Sequence, residues 1–160
     1  MDPNAAMGEG ILFPGVGGVN QDKDWARVVV VDDEANLAVL FAQYLARSFQ
    51  VRCFCSPLEA LRFLRHDRAD LLLSDLMMPG MNGLDLVAQA KECLPNLRTI
   101  ILSGVDPRCW ATAPRELLPL VDAYLCKPIS LRELRWQCLR VLGPGKVARE
   151  VAPLLAACPA

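Results

Sequence analysis

A run of three leucines at 71–73 ends in Ser74 and Asp75 and is followed by a Met-Pro-Gly segment at 78–80. Consecutive apolar residues before a loop signal are typical of a strand buried on both faces, as in a parallel sheet covered by helices. Asp75 is then expected at the carboxyl end of that strand, the edge where open α/β sheets place their chemistry. This stretch therefore favours the α/β class and makes Asp75 the first candidate functional residue.

Strand-like and helix-like segments alternate through most of the chain. The predicted strands are 28–31, 50–54, 70–74, 98–102 and 122–126. Residues that favour helix N-termini precede three of the predicted helices, at Ser56, Asn82 and Ser130. Strands that alternate with helices predict a parallel sheet with right-handed crossovers.

Two helices carry more specific expectations. The first is predicted to bury the face with i, i+3, i+4, i+7 spacing, namely Leu37, Leu40, Phe41 and Tyr44. The fourth is expected to be short or broken because Pro107, Pro114 and Pro119 interrupt it, and an interior proline costs about 3 kcal/mol.

The length of 160 residues allows one domain and its tails. Residues 1–25 are rich in glycine and proline and lack periodicity, so we expect a flexible N-terminal tail. Residues 26–142 form the predicted domain. Residues 143–160 are interpreted as a C-terminal tail or the start of a linker.

Composition argues against several classes of function. A net charge of −1 gives no basic field for direct nucleic-acid binding, and no apolar run approaches the roughly 20 residues that span a bilayer. Seven cysteines without a signal peptide are expected to be reduced thiols in the cytoplasm. Cysteine-based metal binding is disfavoured because the one histidine, His66, lies between Arg65 and Asp67 on a helix and is expected to be solvated.

Five polar residues follow predicted strands directly: Asp32, Asp33, Asp75, Ser103 and Lys127. The carboxyl ends of parallel strands lie on one edge of a sheet, so these residues are expected to converge there. Three carboxylates repel one another unless a hard cation such as Mg²⁺ joins them. A carboxylate nucleophile beside a metal ion and an ammonium group suits phosphoryl transfer.

Four segments in this order resemble the receiver domain of two-component response regulators, over about residues 26–142: 28–34 (VVVVDDE), 74–83 (SDLMMPGMNG), 101–104 (ILSG) and 124–129 (YLCKPI). The resemblance implies a flavodoxin-like, doubly wound (βα)5 fold whose five parallel strands have the order 2-1-3-4-5.

The resemblance also implies roles for the acidic residues. Asp75 would be the phosphoacceptor. Asp33 would bind Mg²⁺ directly, Asp32 largely through water, and Met77 through its backbone carbonyl. On its own, the Asp32-Asp33 pair is also compatible with capping of the following helix.

Lys127 would pair with the phosphate, and Pro128, often preceded by a cis bond in this family, would orient it. Ser103 and Tyr124 would form a switch pair, in which the hydroxyl moves to the phosphate and the ring turns inward. A plain core role for Tyr124 stays open, because half-buried tyrosines are common in strands.

The implied function is a signalling phosphoacceptor rather than an enzyme. The implied partners are a sensor histidine kinase or a histidine phosphotransfer protein, and a second copy bound through the face of the fourth helix, fifth strand and fifth helix. The alternative is a protein-docking module that works without phosphate. A phosphatase-like hydrolase ranks lower because the chain has no spare length for a substrate-binding cap.

Overall fold

The computed structural model describes residues 10–13, 25–105 and 116–146. The strands are β1 (Ile11–Phe13), β2 (Arg27–Val31), β3 (Gln50–Phe54), β4 (Leu71–Asp75), β5 (Arg98–Ser103) and β6 (Ala123–Cys126). The α-helices of these residues are α1 (Ala35–Leu45), α2 (Pro57–His66), α3 (Gly83–Cys93) and α4 (Leu131–Leu142).

The strands form one six-stranded sheet in the order β1-β3-β2-β4-β5-β6. Strands β2 to β6 run parallel, and β1 pairs antiparallel with β3 at one edge. The five parallel strands have the predicted order 2-1-3-4-5, which confirms the doubly wound α/β class. Because β2 and β4 are neighbours in the middle of the sheet, their carboxyl ends lie side by side.

Helices cover both faces of the sheet. One apolar cluster joins α1 and α4 to the sheet and includes Phe41, Leu45 and Leu134. The other joins α2 and α3 to the opposite face and includes Leu61 and Val87. All five residues of β4 are buried, as the leucine run predicts, because this strand has strands on both sides and helices on both faces.

The predicted helix starts are confirmed. Ser56 Oγ accepts a hydrogen bond from the Glu59 N–H at 3.4 Å, Asn82 Oδ1 from the Asp85 N–H at 2.9 Å, and Ser130 Oγ from the Glu133 N–H at 3.1 Å. Each bond satisfies a backbone donor that has no partner within the helix. These starts set where each helix leaves the functional edge of the sheet.

The predicted buried face of α1 is wrong by part of a turn. The buried residues are Ala38, Phe41, Ala42 and Leu45, whereas Leu40 is 46% exposed. The alanines let the helix backbone approach the sheet closely, so the small side chains face the core. Apolar spacing alone predicts that the leucines are buried, but the side of the helix with the small alanine side chains faces the sheet instead.

The prediction of a flexible N-terminal tail is wrong for residues 11–13. Ile11–Phe13 was expected to belong to a flexible tail, but it forms a sixth strand along β3. A sheet edge offers unpaired N–H and C=O groups, and Phe13 packs against the core cluster of α1 and α4. The domain boundaries otherwise stay a prediction.

Part of the proline-rich stretch, with Pro107, Trp110 and Pro114, lies outside the described residues. The described end of that stretch is a short 3-10 turn, Leu118–Leu120. No helix in the described ranges is long and apolar enough to cross a membrane.

Candidate functional site

Two buried carboxylates lie at the carboxyl edge of the sheet. Asp75 is the last residue of β4 and is 7% exposed, and Asp32 directly follows β2 and is 2% exposed. The parallel register sets Val31 opposite Ser74, so the next residue of each strand brings a carboxylate to the same edge. Two buried like charges need a cation between them.

Lys127 supplies that cation. Its Nζ lies 2.8 Å from Asp32 Oδ2 and 2.6 Å from Asp75 Oδ1. Burial by itself lowers the pKa of Lys127, but the hydrogen bonds and negative charges of Asp32 and Asp75 outweigh it, so the pKa is raised above the ordinary lysine value. The ammonium group is therefore held in its charged form between the two carboxylates.

The second oxygen of each carboxylate accepts a backbone N–H. Asp32 Oδ1 accepts from the Glu34 N–H at 3.0 Å, and Asp75 Oδ2 accepts from the Met77 N–H at 2.8 Å. Asp32 is therefore not a helix cap: the N-cap of α1 is Glu34, and no side chain caps that helix. One Asp32 oxygen closes the turn before α1, and the other binds Lys127. Both carboxylates are oriented from two sides.

The three carboxylates predicted to cluster do not all meet in this arrangement. Asp33 is exposed, and within 10–13, 25–105 and 116–146 no three acidic, cysteine or histidine side chains are placed to hold a metal ion. Asp32 and Asp75 are bridged by Lys127 instead. His66 is exposed, as expected.

The donors at this edge nevertheless suit Mg²⁺. The carboxylates and the Met77 carbonyl are all hard oxygen donors, and Mg²⁺ is usually held by one or two carboxylates plus water. The Asp32–Asp75 pair already holds a cationic group, the Lys127 ammonium. Met77 is 71% exposed, which fits a role for its backbone rather than its side chain.

Ser103 and Tyr124 lie near the same edge, on β5 and β6. Ser103 is 2% exposed, and its Oγ donates to the Val105 carbonyl at 2.9 Å and accepts from the Val105 N–H at 3.0 Å. The Tyr124 hydroxyl donates to the Leu118 carbonyl at 3.1 Å, and its half-buried ring packs against the cluster of α2 and α3. Ser103 Oγ thus bonds to the backbone just after β5, and the Tyr124 hydroxyl bonds to the 3-10 turn Leu118–Leu120.

The backbone also fixes the position of Lys127. Its N–H donates to the Ser103 carbonyl at 2.7 Å, which joins the end of β6 to the end of β5. The Lys127–Pro128 peptide bond is cis, as the resemblance implies.

Gly83 contributes to the site in a way that the sequence interpretation missed. An added Cβ would collide with the Asp75 carbonyl oxygen, and the Gly83 N–H donates to the Leu76 carbonyl at 2.9 Å. The first residue of α3 therefore lies directly against the backbone of Asp75. The available signal was a glycine at the first position of the helix, directly after the N-cap Asn82.

Comparison with known proteins finds a family that matches most of the chain. The profile of the family described as response regulator receiver domain matches residues 28–138. The DNA-binding transcriptional regulator NtrC of Azospirillum brasilense is 33% identical over 110 residues, which cover 68% of this chain and 22% of that relative. The chain thus spans about a fifth of that relative's length.

Sporulation initiation phosphotransferase F of Bacillus subtilis is 26% identical over 110 residues, covering 68% of this chain and 87% of that protein. The structure of response regulator TrrA from Thermotoga maritima in complex with Mg(2+)-BeF has a TM-score of 0.64 at 23% identity, covering 72% of this chain and 98% of that one. At that identity the likeness shows the fold. With a family match over most of its length and this fold, the chain belongs to the response regulator receiver domain family.

Proposed function

We propose that this receiver is a phosphorylation-controlled switch in which Asp75 accepts a phosphoryl group in the presence of Mg²⁺. The observation that carries the proposal is the contact of Lys127 Nζ with the buried Asp75 at 2.6 Å and Asp32 at 2.8 Å. It supports phosphoryl transfer because a positive charge stands beside the candidate nucleophile, where negative charge develops in the transition state.

In the proposed reaction an Asp75 carboxylate oxygen attacks the phosphorus of a phosphohistidine. The O–P bond forms while the N–P bond breaks, and the histidine nitrogen leaves with the electron pair. Lys127 neutralises charge on the phosphoryl oxygens. Asp32, Asp33, Asp75 and the Met77 carbonyl would hold Mg²⁺, which supplies further positive charge to the phosphoryl group when bound.

The proposed switch follows from the charge that phosphorylation adds, about 1.5 to 2 negative charges and three acceptor oxygens. Ser103 would exchange its bonds to Val105 for a bond to the phosphate, and the Tyr124 ring would turn inward behind it. The populations of two conformations then shift.

The proposed phosphodonor is a sensor histidine kinase or a histidine phosphotransfer protein, and the chain acts as a signalling phosphoacceptor. A homodimer stays a prediction. Its face would combine β6 and α4, which are the predicted fifth strand and fifth helix, with the predicted fourth helix between β5 and β6, much of which lies outside the described residues. Free thiols at Cys53, Cys55, Cys93, Cys126 and Cys138 support a cytoplasmic location.

The test is intact-mass spectrometry after incubation with Mg²⁺ and a small phosphoryl donor such as acetyl phosphate. Wild type should gain one phosphoryl group, and Asp75→Asn should gain none. Asp85→Asn, at an exposed position on α3, is the matched control and should behave like wild type. Equal uptake by Asp75→Asn would show that another residue accepts the phosphoryl group.

Light scattering with beryllofluoride as phosphate mimic tests the switch. A change of mass in wild type but not in Asp75→Asn supports a phosphate-driven dimer. A monomer that still binds Mg²⁺ and the mimic supports a relay or a partner-bound switch. Absence of Mg²⁺ binding would favour the docking-module alternative.

A further inference from the structure

The N-terminal strand β1 begins at the sheet edge that carries the acidic site. Because Ile11 lies opposite Cys53 in an antiparallel pairing, the preceding Gly10 lies beside Phe54, the last residue of β3. The carboxyl end of β3 is adjacent to that of β2, where Asp32 follows. The start of β1 is therefore close to the site in the fold, although the two are 22 positions apart in sequence.

Gly10 packs directly on the Phe54 ring. Its φ is +68°, and an added Cβ would lie 2.6 Å from two ring atoms and 3.1 Å from the Cys53 carbonyl oxygen. The ring has little room to move, since Phe54 is 2% exposed and its centroid is 5.3 Å from that of Phe63. Both the positive φ and the close contact restrict this position to glycine.

Phe54 is hydrogen-bonded to the acidic site through its backbone. Its carbonyl accepts the Asp32 N–H at 3.2 Å. The Asp32 backbone is thus held by β3 at the point where the carboxylate leaves the sheet towards Lys127. A displaced Phe54 would shift the residue from which this carboxylate projects.

We propose that β1 is a positioning element of the acidic site: Gly10 seats the strand on Phe54, and the Phe54 carbonyl holds Asp32 in the orientation that Mg²⁺ binding needs. This proposal rests on the proposed function. Mg²⁺ demands near-ideal octahedral geometry and usually keeps several waters, so a shift of a carboxylate that holds one of those waters, as Asp32 would, weakens binding. Groups that orient metal ligands typically change affinity by about 10- to 100-fold when they are altered.

The experiment measures Mg²⁺ affinity by calorimetric titration of the full chain and exchange of the Asp32 amide hydrogen by NMR. The test variant is Gly10→Val, and the matched control is Gly145→Val, where an added Cβ meets nothing within 4 Å. Deletion of residues 1–13 removes the strand without forcing a side chain onto Phe54. If Gly10→Val does not fold, the deletion variant is compared with wild type instead.

Gly10→Val and the deletion are expected to bind Mg²⁺ about tenfold more weakly and to exchange the Asp32 amide faster, while Gly145→Val matches wild type. Unchanged affinity in a folded variant overturns the inference, even where the melting temperature falls, because a purely structural strand would lower stability alone. If wild type itself binds no Mg²⁺, the proposed function fails first and the inference with it.

Discussion

Lys127 Nζ is 2.6 Å from Asp75 Oδ1, which is shorter than its 2.8 Å contact with Asp32 Oδ2. Through these two contacts the lysine joins the end of β6 to the middle of the sheet. The lysine side chain is 23% exposed and that of Asp75 is 9% exposed, so the pair is largely shielded from water. Removal of the lysine would leave buried carboxylates without a counter-charge, and the lysine at the same time occupies oxygens that a metal ion would use. Stability and metal binding are therefore expected to be linked.

Lys127→Met should reduce the free energy of unfolding by about 1–3 kcal/mol at neutral pH without Mg²⁺, because two buried carboxylates lose their shared cation. It should also tighten Mg²⁺ binding, and saturating Mg²⁺ should recover part of the lost stability. Urea denaturation with and without Mg²⁺ measures both effects.

Lys91→Met is the control for this substitution, since among the described residues Lys91 contacts a single carboxylate, that of Asp122, at 3.7 Å. The raised pKa of Lys127 gives a second check. Its stabilisation is complete below the ordinary value of 10.5 and is lost as the pH rises through the folded-state value. A difference between wild type and Lys127→Met that persists unchanged at higher pH would contradict the role of the charge.

Gly83→Ala should disturb the Asp75 backbone, because the added methyl group meets the Asp75 carbonyl oxygen. We expect a loss of about 1–3 kcal/mol in the free energy of unfolding, typical of overpacking, and slower phosphoryl uptake in the folded fraction. Gly145→Ala, in open space, should leave both unchanged. Chemical denaturation and phosphorylation kinetics measure them, and full activity with full stability in Gly83→Ala would refute the close contact.

Asp122→Asn should lower stability by about 1–2 kcal/mol at neutral pH. Asp122 accepts the Thr99 N–H at 2.8 Å and an Arg98 hydrogen bond at 2.8 Å. Burial raises the pKa of Asp122, but these bonds and the Lys91 charge together lower it below 3.8. Its contribution is therefore present above pH 3.8 and is lost as the pH falls through the folded-state pKa.

Urea denaturation at neutral and acidic pH checks this dependence, with Asp85→Asn as an exposed control. The gap between wild type and Asp122→Asn should narrow in acid. A gap that stays constant as the pH falls would mean that the carboxylate charge does not contribute.

Cys138 should make the fold sensitive to alkali. Its side chain is fully buried, and burial raises the thiol pKa from 9.0 to about 12. The unfolded chain loses this proton first, so stability should fall as the pH rises from 9.0 towards 12. The melting temperature, measured by circular dichroism, should decline less steeply with rising pH in Cys138→Ala than in wild type. The control Cys93→Ala, at an exposed position, should decline as wild type does. An equal decline in Cys138→Ala would assign the effect to other groups.

Local patterns predicted most of the fold. The leucine run at β4, the caps at Ser56, Asn82 and Ser130, and the polar residues near the ends of four strands depend on neighbours a few positions apart, so they can be recognised in the sequence. The face of α1 was misjudged because apolar spacing does not include how closely Ala38 and Ala42 approach the sheet.

The sequence by itself determined the α/β class, the approximate bounds of the five parallel strands and a set of acidic, hydroxyl and lysine residues near their carboxyl ends. Asp75 and Ser103, predicted to follow their strands, are the last residues of β4 and β5. Tertiary structure decided which of them meet. Lys127 contacts Asp32 from 95 positions away in the sequence, and Gly83 lies against Asp75. Gly10 packs on Phe54 at the start of a strand that the sequence pattern did not predict. These contacts depend on backbone approach and sheet register, which follow from packing the whole chain rather than from any local pattern.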